Sequence, residues 1–328
     1  MRICTSLLAL LTLSAVPGLE PSVAYHAYAN SKVAGGATAP INTLGDESLS
    51  VFVRNARAPA AASSTRAVTV VLIPGPVGSA FSMRHITDVL AAESIATVVI
   101  DPLGMGTSAR PEVADYTLTR QASRIRAVLD TLRIARAIVV AQGTSATVAL
   151  HLAASDPTRI AAVLSLAGGP VDHQGTKGVK LALAFAPLID NAVGRAIGRR
   201  KFRAAVREQS ANDAWCTDDV LRAYLRPFES NVRGGLRALR AMSEAVEPVP
   251  IGSRLHLIQA PVRLLVGEKH SANSPTDEQL LLLSQKVAHF QVDTIARAGT
   301  MLHEERPDAV TAAIHDLIRD LPSAGTRP

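Results

Sequence analysis

The chain has 328 residues, 48% hydrophobic and 19% charged, and its 34 Lys and Arg against 28 Asp and Glu give a net charge of +6. That composition supports a full buried core and excludes disordered, collagen-like and low-complexity classes. Two cysteines, Cys4 and Cys216, exclude a disulfide scaffold, and aromatics at 3% exclude a stacking platform for single-stranded nucleic acid.

The N-terminus reads as a leader. Arg2 precedes an apolar run from Leu7 to Val16, then Pro17-Gly18, and an Ala27-Tyr28-Ala29 cleavage site follows. The run falls short of the roughly 20 residues that span a bilayer. Residues 1–29 are therefore expected to be a signal peptide, and residues 30–328 an exported, periplasmic or extracellular domain. Its single thiol would be Cys216. No other segment is long and apolar enough to span a membrane.

Residues 30–48 are rich in Ala, Gly and Thr and read as irregular or edge structure. Leu49 to Arg54 alternates as a strand does, and Ala58 to Thr65 reads as a flexible connection. Val68 to Ile73 is continuously aliphatic, as a strand covered on both faces should be. The turn Pro74-Gly75-Pro76 leads to a helix over Ser82 to Glu93, and Thr97 to Ile100 is the next buried strand. Ile125, Val128, Leu129 and Leu132 share one helix face. Ala137 to Val140 is a strand, followed by a helix to Ala154 and a strand from Ala162 to Leu166. The rhythm breaks over about 172–250, a helical stretch with Arg195, Arg199, Arg200, Lys201, Arg203 and Arg207. A charge run of this kind is a solvated face. Strands resume at Val262 to Val266 and Phe290 to Ile295, and a helix from Pro307 to Leu321 closes the chain. Strands alternating with helices predict a parallel sheet covered on both sides.

Four local patterns then align. They are Ile73-Pro74-Gly75-Pro76 through Phe81-Ser82-Met83-Arg84, Asp101-Pro102-Leu103-Gly104-Met105-Gly106-Thr107-Ser108, Ala141-Gln142-Gly143-Thr144-Ser145, and Ala298-Gly299-Thr300-Met301-Leu302-His303-Glu304-Glu305-Arg306-Pro307. Together they resemble the oxyanion turn, the D-x-x-G-x-G-x-S loop, the nucleophile elbow and the catalytic-histidine segment of the α/β-hydrolase superfamily. The resemblance covers about 45–321. It implies an α/β-hydrolase fold, with a mostly parallel central sheet flanked by helices and a helical cap insertion at about 172–250.

The resemblance also exposes departures. The family's elbow is G-x-S-x-G. The spacing from Ile134 and that from the Asp156-Pro157-Thr158-Arg159-Ile160 turn both put the nucleophile position at Gly143. The family's acid falls at His270, and its catalytic histidine at Thr300. A histidine cannot hold an imidazolium as a carboxylate does, and threonine has no basic nitrogen. Of the two oxyanion donors, one falls on Pro76, which has no N–H, and the other on Thr144. Ser145, His303 and Asp172 are the fallback nucleophile, base and acid. Ser145 also reads as a first-turn helix residue, His303 as a structural partner and Asp172 as the first residue of the cap.

Two readings follow. The first is a non-catalytic protein, with a degenerate triad, that binds a small apolar or amphipathic ligand in a pocket walled in part by Met83 and Leu103, or that acts as an interaction protein. The second is a divergent hydrolase of the ester or lactone class, or a lyase, using Ser145 and His303 or another constellation. His270, Thr300, Asp172 and His173 are candidates to line one pocket, because the strand ends of such a fold converge. No cofactor is expected. The nine histidines show no metal-ligand spacing, and no phosphate-binding or nucleic-acid motif is present.

Overall fold

A computed structural model describes residues 36–44, 47–54, 68–175 and 192–321. The expected leader over 1–29, the connection at 58–65 and part of the insertion lie outside the described residues.

One eight-stranded sheet organises the molecule. Strands β1 (Gly36–Leu44) and β2 (Glu47–Arg54) form an antiparallel edge. Then come β3 (Thr69–Ile73), β4 (Thr97–Asp101), β5 (Ala137–Gln142), β6 (Ile160–Leu166), β7 (Val262–Gly267) and β8 (Phe290–Ile295). The spatial order is β1-β2-β4-β3-β5-β6-β7-β8, and β3 to β8 pair in parallel. The Ala/Gly/Thr-rich stretch before residue 48 thus supplies the edge strand β1.

The central strands are the continuous aliphatic runs, and their alternate residues feed two cores. Val71, Ile73, Val139 and Ala141 face one, and Val70, Leu72, Ile138 and Val140 face the other. Helices α1 (Arg84–Ala92), α2 (Leu118–Thr131) and α3 (Ser145–Ser155) connect the strands as far as β6. Between β6 and β7 lie α4 (Ala192–Gln209), α5 (Asp218–Glu229) and α6 (Val232–Glu244), the helical insertion. Its arginines are largely paired, Arg199 with Glu229 and Arg207 with Asp213. A further helix, α7 (Asp277–Lys286), leads to β8, and α8 (Leu302–Glu305) and α9 (Pro307–Asp320) close the chain. No periodicity announces α7, because Leu280 to Leu283 are consecutive. Its start is set by a capping box between Thr276 and Gln279.

Met83 and Leu103, expected as walls of one pocket, are not placed that way. Neither has any exposed surface, and they pack in different cores, Met83 with α1 and α9 and Leu103 with α2 and α6. Both are the apolar members of turns that cross the sheet ends, so packing claims them.

Candidate functional site

Strand β5 passes into α3 through Gly143 and Thr144. Gly143 adopts φ +59, its N–H donates to the Leu166 carbonyl at 3.0 Å, and its own carbonyl accepts from Ala146 N at 3.0 Å. A left-handed residue between a strand and a helix turns the chain sharply and aims the Cβ direction outward. A Cβ built at Gly143 meets nothing within 4 Å, so the elbow opens onto free space. The carbonyl of Gly143 packs so closely on Gly168, at the end of β6, that a side chain at Gly168 would collide with it. Two glycines are thus required by this corner, one for conformation and one for approach.

Ser145 is the first residue of α3 and is 1% exposed, and its hydroxyl donates to the Pro74 carbonyl at 2.7 Å. It ties the elbow to the turn after β3 and does not face the open space. Thr144 has a buried hydroxyl oxygen with no partner among the described residues. Thr147, fully buried, donates to Gly169 O at 3.3 Å and accepts from Val171 N at 3.0 Å.

The turn after β3 closes with Gly78 N donating to Gly75 O at 2.8 Å. Pro76, with no N–H to offer, stands at its half-exposed crest. A side chain at Gly75 would run into the amide of Gln142, so Gln142, the last residue of β5, lies across this turn.

Thr300 is 3% exposed, and its amide and hydroxyl both bond Gln209 at the end of α4, at 2.8 Å to the backbone oxygen and 3.2 Å to Oε1. His270 is exposed in the turn after β7. Asp172 is exposed and accepts from Ile251 N at 2.8 Å, and His173 beside it is exposed. The structure therefore does not bring Ser145, His303 and a carboxylate into one hydrogen-bonded set: the serine bonds Pro74, and the imidazole bonds Tyr224. The distribution has a physical cause. Ser145, Thr300 and Asp172 are each engaged by a partner outside any shared set, Pro74, Gln209 and Ile251 respectively.

His303 belongs to a polar network that sequence reasoning missed. The Glu304 carboxylate has no exposed side-chain surface. Arg84 grips it with two hydrogen bonds, at 2.6 and 2.7 Å. Tyr224 of α5 donates to the same carboxylate at 2.5 Å and lies 3.1 Å from His303 Nε2. The single phenol proton goes to Glu304, so His303 presents Nε2–H to the phenol oxygen and keeps a lone pair on Nδ1. That Nδ1 is buried without a partner among the described residues. Burial pushes the His303 pKa down to about 4, against the attraction of Glu304. Burial raises Glu304, but hydrogen bonds from His85 and Arg84 and the charge of His303 outweigh it and hold the group at about 2. Phe81, Phe202 and Trp215 pack around the Tyr224 ring at 5.9–6.2 Å between centroids. Arg84 and Glu304 both lie in segments that the motifs singled out. Only the fold shows that they meet across 220 residues.

Asp101, the head of the D-x-x-G loop, accepts from Thr107 N at 2.9 Å and is buried. Burial raises its pKa to about 7, against the pull of Thr107, Ala80 and Arg110. Glu305 braces the segment before α8, accepting from Gly299 N at 2.9 Å and from Ala211 N at 2.6 Å. Among the described residues no group of three or more His, Cys, Asp or Glu is arranged to hold a metal, and no helix is long and apolar enough to cross a membrane.

A family model described as "Alpha/beta hydrolase family" matches residues 70–313. The chain belongs to the alpha/beta hydrolase family. Solved structures agree on the fold. Cfl2 from Burkholderia cenocepacia superposes with a TM-score of 0.68 at 22% identity, over 90% of this chain and 99% of that one. The enol-lactonase from Burkholderia xenovorans LB400 gives 0.66 at 20% identity, over 85% and 99%. Est816, described as an N-acyl homoserine lactone degrading enzyme, gives 0.62 at 18% identity, over 84% and 99%. No curated protein matches the chain significantly. Within this hydrolase fold, the corner that ends β5 carries an open space and a glycine.

Proposed function

We propose that this alpha/beta hydrolase family member is an exported, non-catalytic protein that binds a small apolar or amphipathic molecule and releases it unchanged. One observation carries the reading: Gly143 holds the left-handed elbow conformation with open space where a nucleophile's side chain would stand. Thr300, engaged by Gln209, offers no base, and Pro76 offers no oxyanion donor. Losing one such donor costs about 2.7–4 kcal/mol of transition-state stabilisation in a working hydrolase. The two neighbours described as acting on lactones suggest lactones to try, alongside esters and fatty acids.

The purified protein is expected neither to hydrolyse short-chain activated esters nor to be labelled by a serine-directed phosphonate. Gly143→Ser fits the open space and should still leave turnover near background, because a nucleophile without its base and acid gains little rate. A ligand at about 100 times its Kd should stabilise the fold by roughly 2.7 kcal/mol and be recovered with unchanged mass. Wild-type turnover that disappears in Ser145→Ala or His303→Gln would overturn the reading. It would favour a divergent hydrolase or lyase, for which the unpartnered Nδ1 of His303 is the available base.

Export rests on the basic start, apolar run and A-x-A site over residues 1–29. The exported protein is expected to have an intact mass that begins at Asn30. A mass beginning at Met1 would refute it.

A further inference from the structure

We propose a second binding site, for a small oxyanion, between the loop that follows β4 and helix α6, built on Arg110, Tyr116 and Arg237. It lies beyond β3 from the elbow and does not depend on how the elbow functions.

Tyr116 is 3% exposed, and its hydroxyl has no partner among the described residues. The ring packs under α6: a side chain at Gly104 would strike Tyr116, Met242 and Ala238 together. Gln174 donates to the Tyr116 carbonyl at 2.8 Å, and Arg124 to the Asp115 carbonyl at 2.7 Å, so the backbone that aims the phenol is held from two sides.

Arg110 donates from Nη2 to Gly106 O at 2.7 Å, while its Nε is buried without a partner among the described residues. Arg237 reaches in from α6 and donates to the Arg110 carbonyl at 3.0 Å. Its nearest carboxylate, on the highly exposed Glu112, is 3.9 Å away. Arg124 is fully engaged with Glu47, at 2.7 and 2.6 Å. The positive charges of Arg124, Arg237 and Arg110 all act on the Tyr116 phenol. Asp101 is the acid that acts on Arg110, and burial keeps that carboxyl partly protonated near neutral pH.

The Tyr116 hydroxyl and Arg110 Nε are therefore two buried donors without acceptors, and Glu47, a carboxylate that acts on the phenol, is already bound by Arg124. A buried donor left unmade is costly, and a buried charge needs a counter-charge. A group that satisfies both is an acceptor carrying negative charge, a phosphate or a carboxylate, which guanidinium donors recognise well.

The experiment is thermal unfolding at pH 7 with inorganic phosphate or acetate titrated at constant ionic strength. The full-length protein should show a saturable rise in Tm with at least one of the two. Tyr116→Phe removes a hydroxyl that has no protein partner, so the fold should persist while the apparent Kd rises about tenfold or more. Arg237→Met, at an exposed position, should weaken binding too, and Arg110→Met should abolish the saturable rise. No saturable rise with either anion would overturn the proposal. So would a rise whose midpoint is the same in wild type and Tyr116→Phe, which would place the anion elsewhere.

Discussion

Replacing Arg84 by methionine is expected to lower the unfolding free energy by about 3–5 kcal/mol, because it strands the Glu304 carboxylate in the interior. Arg84 provides both hydrogen bonds of a bidentate pair, and its own side chain is only 14% exposed. Methionine keeps the apolar stem that lies against Phe81, where the guanidinium now stacks 4.3 Å from the ring centroid. Most of the loss is thus the cost of a buried charge left with only Tyr224 and His85 to hold it. The Arg84→Met, Glu304→Gln double variant removes that charge and should recover a large part of the loss, a coupling that a double-mutant cycle measures. Urea unfolding at pH 7 decides it. A single-variant loss below about 1 kcal/mol, typical of an exposed pair, would show that the network is solvated. Tyr224 bonds the same carboxylate, so the variant should also loosen α5 from the body of the fold.

His151 is expected to make the protein sensitive to acid. It lies in α3, is 1% exposed, and neither ring nitrogen has a partner among the described residues. Burial lowers its pKa to about 4, with Arg254 adding to the shift and Asp172 opposing it. The sign follows from linkage. The unfolded chain takes up this proton below about 6.5, whereas the folded chain resists until about 4, so stability is lost as pH falls through that window. His303 acts in the same direction, with its pKa also lowered to about 4. Asp101 acts oppositely: its raised pKa contributes stability at low pH that is lost as pH rises towards about 7. At pH 5 each histidine has removed roughly 2 kcal/mol. His151→Leu should therefore raise the stability at pH 5 relative to that at pH 7 by about that amount over the wild type. It should also add about 1–3 kcal/mol at pH 7 by removing two orphaned polar atoms. Equal changes between pH 7 and pH 5 in wild type and variant, measured by urea unfolding, would refute this account.

The sheet and the tight corner at Gly143 were legible in the sequence because their causes are local. A strand covered on both faces must be an unbroken aliphatic run, which is why Val70–Ile73, Val98–Ile100 and Ile138–Val140 can be read without a partner in view. The corner at Gly143 follows from fixed distances to Ile134 and to the Asp156 turn, and its positive φ is the conformation that such a corner requires. Helix α7 escaped because four consecutive leucines carry no helical period.

The sequence by itself determined the fold class and the place of the tight corner between β5 and α3, since each depends on neighbours a few residues apart. Only the tertiary structure decided what those residues do. Ser145 is claimed by Pro74, 71 residues away, Thr300 by Gln209, 91 away, and His303 by Tyr224, 79 away. Met83 and Leu103 went into separate cores, although both follow strand ends near one corner. A side chain's availability for chemistry depends on whether another group has already taken its proton or lone pair. Chain folding brings that group from a distance that no local pattern records.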